Sequence, residues 1–199
     1  MSSQNGQDNQ ENETTSKQHK PAKHSSVLEN FSFLKEIVRF DEGKSEIVAA
    51  DADWLILRAD LLRELFEGLR AFLGRGADIA IKAAGKNSGR RFVDILTKRN
   101  IQLKEADVVL NLLLNQGGWG KFEMQIDRDA HKVVITIRNC VLARGVKSPE
   151  PSCYFLAGYF EGFCGRLFNM EMECVESDCM AVDGSICEFK AKPKRPSKP

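Results

Sequence analysis

The chain has 199 residues, enough for one ordinary domain or two very small ones, and its 42% hydrophobic and 29% charged side chains fit a soluble globular protein. A formal net charge of +1 supplies no field that would recruit nucleic acid or an acidic membrane. No stretch approaches the ~20 apolar residues that span a bilayer, and the polar start lacks the pattern of a secretory signal. A cytoplasmic setting is therefore expected, with the six cysteines reduced and available to a metal.

Residues 1–26 hold hardly an apolar side chain and are expected to be a disordered tail, with His19 and His24 solvated. A single domain is expected over 27–190, followed by a basic, proline-rich tail over 191–199. Ile37–Phe40 reads as a strand, followed by a turn near Asp41–Gly43 and by extended segments at Glu46–Val48 and Trp54–Leu57. From Asp60 the apolar spacing turns helical through Leu61, Leu62, Leu65, Phe66, Leu69, Phe72 and Leu73, and Gly74 closes that helix. A second helix is expected from about Ala77 to Lys98. A third, from about Glu105 to Gln116, is apolar on most of its circumference and so is a candidate to line a pocket or a dimer contact. Gly74-Arg75-Gly76 and Gly85-Lys86-Asn87-Ser88-Gly89 lack the remaining residues of a dinucleotide or phosphate loop, and the second falls inside a helical pattern.

Gly118-Trp119-Gly120 leads into Lys121–Ile126, whose alternation puts Phe122, Met124 and Ile126 on one face, and Val133–Asn139 completes a hairpin. His131 lies at the polar turn between them. The last helix is expected from Cys153 to Phe168, with Ser152 as its cap and Cys153 in its first turn, where a helix start favours the thiolate. Its aromatic side chains suit core packing or the wall of an apolar ligand pocket.

Cys153, Glu176, Cys179 and Cys187 form the pattern C-x22-E-x2-C-x7-C. Asp183-Gly184 is a hairpin signal that folds Cys179 towards Cys187, and a bend or bulge would aim Glu176 and Cys179 at one point. Three thiolates and a carboxylate repel one another unless a cation lies between them, and such a donor set suits zinc. The competing reading is packing, because buried free cysteines behave as small apolar side chains and C-x7-C is not a common zinc-finger interval. Cys140 and Cys164 read as core. Cys174, two residues from Glu176, could replace it as the fourth ligand.

With these motifs, the Gly118-Trp119-Gly120 turn, Gly158 and Gly162 in the last helix and the ending Cys187-Glu188-Phe189, roughly residues 36–190 resemble the 4-vinyl reductase (hydrocarbon-binding) domain family in its free-standing archaeal type. That family is related to the sensor domains of phenol-responsive regulators and to TRAPP-type subunits. The resemblance implies an α+β fold with helices on one face of an antiparallel sheet, the C-terminal helix and β-hairpin being joined by a structural zinc on Cys153, Glu176, Cys179 and Cys187. It also implies a homodimer formed through helices and non-enzymatic binding of an apolar or aromatic small molecule, for sensing or carrying. Trp119, Tyr154 and Tyr159 are the candidate ligand contacts. The chain lacks an ATPase module and a DNA-binding helix-turn-helix, so a sensing role requires a downstream signalling partner; the interior histidine of phenol sensors is also absent. Two alternatives stand beside this reading. One is a scaffold or trafficking-type subunit holding an acyl chain; the other is an enzyme related to tetrapyrrole vinyl reduction, against which counts the lack of a flavin or nicotinamide motif.

Overall fold

The computed structural model describes residues 39–49, 52–98, 100–102 and 105–195. The expected disordered tail, the start of the domain, Ile37 and Val38 of the first expected strand, and the end of the basic tail lie outside the described residues. Strands β1 (Arg39–Asp41), β2 (Glu46–Ala49) and β3 (Ala52–Trp54) pair antiparallel in that order. Leu55–Leu57, read as extended from its sequence, is not paired as a strand. The helices α1 (Ala59–Leu73), α2 (Gly76–Lys98), α3 (Ala106–Gln116) and α4 (Tyr154–Phe168) fall within a residue or so of their expected bounds. Gly74 ends α1 at φ 58°, a conformation open to glycine, and its amide donates to the Arg70 carbonyl.

The larger sheet contains β4 (Lys121–Asp127), β5 (Lys132–Arg138), β6 (Met172–Asp178) and β7 (Ile186–Pro193), in the order β4-β5-β7-β6 with every pair antiparallel. Its period-2 pattern sorts the two faces: Val133, Ile135 and Ile137 of β5 and Cys187, Phe189 and Ala191 of β7 are buried, whereas Lys132, Arg138, Lys190 and Lys192 are exposed. Helix α4 covers the buried face. Phe160 meets Phe122 and Phe189 edge-on, at ring-centroid distances of 6.1 and 5.2 Å. Fully burying a side chain such as Phe160, Phe163 or Phe189 is worth roughly 1.5–3 kcal/mol, which makes this layer the centre of the core.

Helices α2 and α4 approach to backbone contact. A Cβ on Gly85 or Gly89 would collide with the Phe155 or Tyr159 carbonyl, and one on Gly158 or Gly162 with the Lys82 or Lys86 carbonyl. Each helix thus presents two glycines one turn apart to the other's main chain. Their outer edge is laced by ion pairs: Lys82 and Lys86 reach Glu161 at 3.1 and 2.8 Å, Arg90 reaches Glu171 at 3.3 Å, and Arg166 reaches Asp94 at 2.7 Å. Such partly exposed pairs each add little, so the glycine contact is what sets the spacing.

Helix α1 departs from its expected role. Its spacing is amphipathic, yet none of its residues is buried, and Leu61, Leu65, Phe72 and Leu73 remain exposed. Phe72 is 86% exposed.

Candidate metal centre and adjoining cavity

Cys153 stands at the N-cap of α4, Glu176 near the end of β6, Cys179 just beyond β6 and Cys187 in β7. The register of β6 on β7 shifts between Glu176 and Asp178, and this irregularity is what turns the Glu176 carboxylate and the chain towards Cys179 inward. Residues 179–185 form a wider loop than the two-residue turn expected at Asp183-Gly184. The Cys179 carbonyl accepts from the Val182 and Gly184 amides at 3.1 and 3.3 Å, and Gly184 needs no left-handed backbone. The loop also points amides at sulfur: Ala181 N donates to Cys179 Sγ at 3.4 Å and Met180 N to Cys187 Sγ at 3.5 Å.

One potential ligand atom from each of Cys153, Glu176, Cys179 and Cys187 lies within 4.8 Å of all the others. The Cys153 and Cys187 sulfurs are 4.0 Å apart, too far for a disulfide and close to the ~3.8 Å between two sulfurs on a tetrahedral zinc with bonds of ~2.3 Å. Glu176 Oε2 accepts the Cys153 amide at 2.8 Å, while Oε1 is buried with no hydrogen-bond partner. A buried carboxylate oxygen facing three thiols and lacking a donor fits a cation-binding site.

The protonation pattern tells the same story. The Cys153 thiol is held far above its ordinary value, first by proton sharing with Cys140 and Cys179, and Cys187 likewise. Burial, with a contribution from Cys179, pushes the Glu176 carboxyl up to about 8, while hydrogen bonds from Cys153 and Cys187 pull Cys179 down. Without a cation, the protons stay in the cluster.

Sequence reasoning missed one neighbour and misplaced another. Cys174 is buried elsewhere, its amide on Glu161 Oε2 at 3.3 Å, and it is no part of the cluster. Cys140 Sγ instead lies 4.0 Å from Cys153 Sγ. It arrives from the turn after β5, where Asn139 takes φ 55° and the Cys140 amide donates to Met180 Sδ at 3.3 Å. The expected cap on α4 is also corrected: Cys153, not Ser152, occupies the N-cap, with no side-chain cap bond of its own.

A cavity of about 650 Å³ opens beside this end of α4. The third helix lines it with Leu110, Leu113 and Leu114; α4 contributes Phe155, Leu156 and Tyr159. Phe155 stacks between Phe66 and Trp119, with centroids 5.9 and 6.0 Å away. Trp119 is held there by its turn: Gly118 adopts φ 79°, Gly120 adopts φ 142°, and a Cβ on Gly120 would strike Ile137 and the Arg138 carbonyl. The Tyr159 hydroxyl, held strongly protonated by burial, has no hydrogen-bond partner among the described residues. Of the three candidate ligand contacts, Trp119 and Tyr159 line the cavity and Tyr154 does not. One residue round the helix from Phe155, Tyr154 faces Arg70, whose guanidinium lies 5.8 Å from its ring. His131 sits apart from both sites, edge-on to Phe168.

The family model for the 4-vinyl reductase domain matches residues 133–193, the segment from β5 through β7 that contains all four clustered residues. The chain carries a 4-vinyl reductase domain. No curated protein matches it. Among solved structures, this 4-vinyl reductase chain is similar to the phenol-responsive sensory domain of the transcription activator PoxR, at 18% identity and TM-score 0.71 over 85% of this chain and 90% of that one. A vinyl-4-reductase family protein from Methanocaldococcus jannaschii shares 19% identity at TM-score 0.51, over 71% and 85% of the two chains. Trafficking protein particle complex subunit 3 from Naegleria fowleri, covalently bound to palmitic acid, shares 16% at TM-score 0.52, over 69% and 95%. At these identities the likeness is one of fold. It extends beyond the matched 4-vinyl reductase segment to the helices that wall the cavity. Among the described residues, no helix is long and apolar enough to cross a membrane.

Proposed function

We propose that residues 27–190 form a non-enzymatic domain that binds an apolar or aromatic small molecule reversibly in the cavity between α2, α3 and α4. The observation that carries this reading is the cavity itself: about 650 Å³, within the ~300–1,000 Å³ of small-molecule sites, and walled mainly by leucine and aromatic side chains. Trp119 and Tyr159 are its ligand contacts. The lining contains no cysteine, histidine or carboxylate, which counts against turnover and against a thioester-held acyl chain. The likeness to a phenol-responsive sensory domain supports a sensing or carrying role, in which the signal passes to a partner protein.

Cys153, Glu176, Cys179 and Cys187 are its metal ligands in this proposal, and zinc is the metal that best suits three thiolates and a carboxylate. Bound there, zinc supplies charge neutralisation only, since four protein donors leave no open position for a substrate. The residues do the rest. Cys153 fastens the start of α4, Glu176 holds that helix's first free amide, and Cys179 and Cys187 tie in the loop and β7. The exposed leucines and Phe72 of α1 support a homodimer through this helix, and six free thiols suit a reducing cytoplasm.

Native mass spectrometry of the purified full chain tests the reading. The expected spectrum shows one metal per chain, an even subunit count and a small-molecule mass that exchanges with added naphthalene or toluene. Metal-free protein that takes up neither compound overturns it.

A further inference from the structure

The polar part of the cavity lining carries one sign of charge. Arg58 and Arg91 are its charged side chains, and no aspartate or glutamate faces it. Arg58 is shared with Asp60, at 3.1 Å. Arg91 is different from its neighbours on α2. Lys82, Lys86 and Arg90 each meet a carboxylate, whereas Arg91 has no ion-pair partner among the described residues. Ser88, Arg91, Phe92 and Ile95 all line the cavity and recur at helical spacing along one stripe of α2. Ser88 and Arg91 are exposed at the solvent end of that stripe, and Phe92 and Ile95 are half-buried at the other. An unpaired guanidinium beside low-dielectric walls attracts an anion more strongly than one in open water, and its planar fork matches a carboxylate.

We propose that the guest of this cavity is an amphipathic carboxylic acid, its apolar body lying among Phe92, Leu113, Trp119 and Phe155 and its carboxylate received at the mouth by Arg91, with Ser88 and Arg58 contributing. This rests on the binding reading above and sharpens it. The head group, not the body, distinguishes the guest from a plain hydrocarbon or phenol. Both an aromatic acid and a fatty acid satisfy the recognition chemistry.

Displacement of Nile red from the metal-loaded full chain at pH 7.4 is the test, using decanoic acid against methyl decanoate and 2-naphthoic acid against its methyl ester. Each acid is expected to bind roughly tenfold tighter than its ester, as for a charge-assisted pair at a partly exposed site. The ratio is expected to fall towards one in Arg91→Gln and to shrink on going from 20 to 500 mM salt. Comparing the two acids shows which body the cavity prefers. Esters that bind as well as their acids overturn this proposal and leave the binding reading standing; failure of the dye and all four compounds to bind removes both.

Discussion

The carboxylate of Glu176 receives the amide hydrogen of Cys153 at 2.8 Å, so a strand residue 23 positions away caps the last helix. The same carboxylate's other oxygen faces the thiols without a partner. One side chain therefore serves both the helix end and the candidate metal centre, and disturbing either disturbs the other.

Serine at Cys179 or Cys187 is expected to abolish stoichiometric metal and lower Tm by about 10 °C or more, because binding energy at a structural site is folding energy. Alanine at Cys174, which lies outside the cluster, is expected to keep the metal and to cost only the ~1–2 kcal/mol of a small packing defect. Elemental analysis paired with calorimetry distinguishes the two. A Cys179→Ser protein that keeps its metal would refute the assignment.

Metal affinity is expected to rise steeply with pH. Below about pH 8 the metal-free cluster keeps protons on Glu176, Cys153 and Cys187, while Cys179 has given its own up. All four donors must be bare to ligate, so metal uptake releases about three protons, and acid favours the metal-free form. Titration calorimetry in two buffers of different ionisation enthalpy measures that number, and heats that do not change between buffers contradict it.

Alanine at Gly89 or Gly158 is expected to destabilise by about 2–4 kcal/mol, since the added methyl meets main chain, which cannot rotate aside. Gly68 gives the opposite sign. It lies inside α1 with nothing within 4 Å of a new Cβ, so Gly68→Ala is expected to gain up to ~1 kcal/mol. Urea unfolding curves for the three variants decide the matter.

Glutamate at Leu65 and Phe72 together is expected to convert a dimer into a monomer while leaving Tm within a few degrees, because both side chains are exposed on the isolated chain. Light scattering after gel filtration reads the mass directly. A variant that remains dimeric places the interface elsewhere.

Much of the candidate site was legible because its residues lie in regular elements. Period-2 alternation located β5 and β7, helical spacing located α4, and an acid three residues before a cysteine announced the bulge that brings both inward. Cys140 was not legible. It reaches the cluster through a turn set by the left-handed Asn139, and no spacing rule connects it to Cys153. The loop after β6 was misread for a related reason: Asp183-Gly184 favours a two-residue turn in isolation, but here the chain wraps round the Cys179 carbonyl. Leu55–Leu57 carries strand-like side chains that in the fold face a cavity rather than a neighbouring strand.

The glycines shared by α2 and α4 leave the cavity with one rigid side. Those helices touch main chain to main chain, so neither can retreat to admit a guest. The opposite side includes Leu55 and Ile56, which line the cavity yet are 80% and 88% exposed to solvent. Entry and exit therefore fall to this short, loosely held segment, and exchange rates should respond to changes there while the fixed side sets which shapes are accepted.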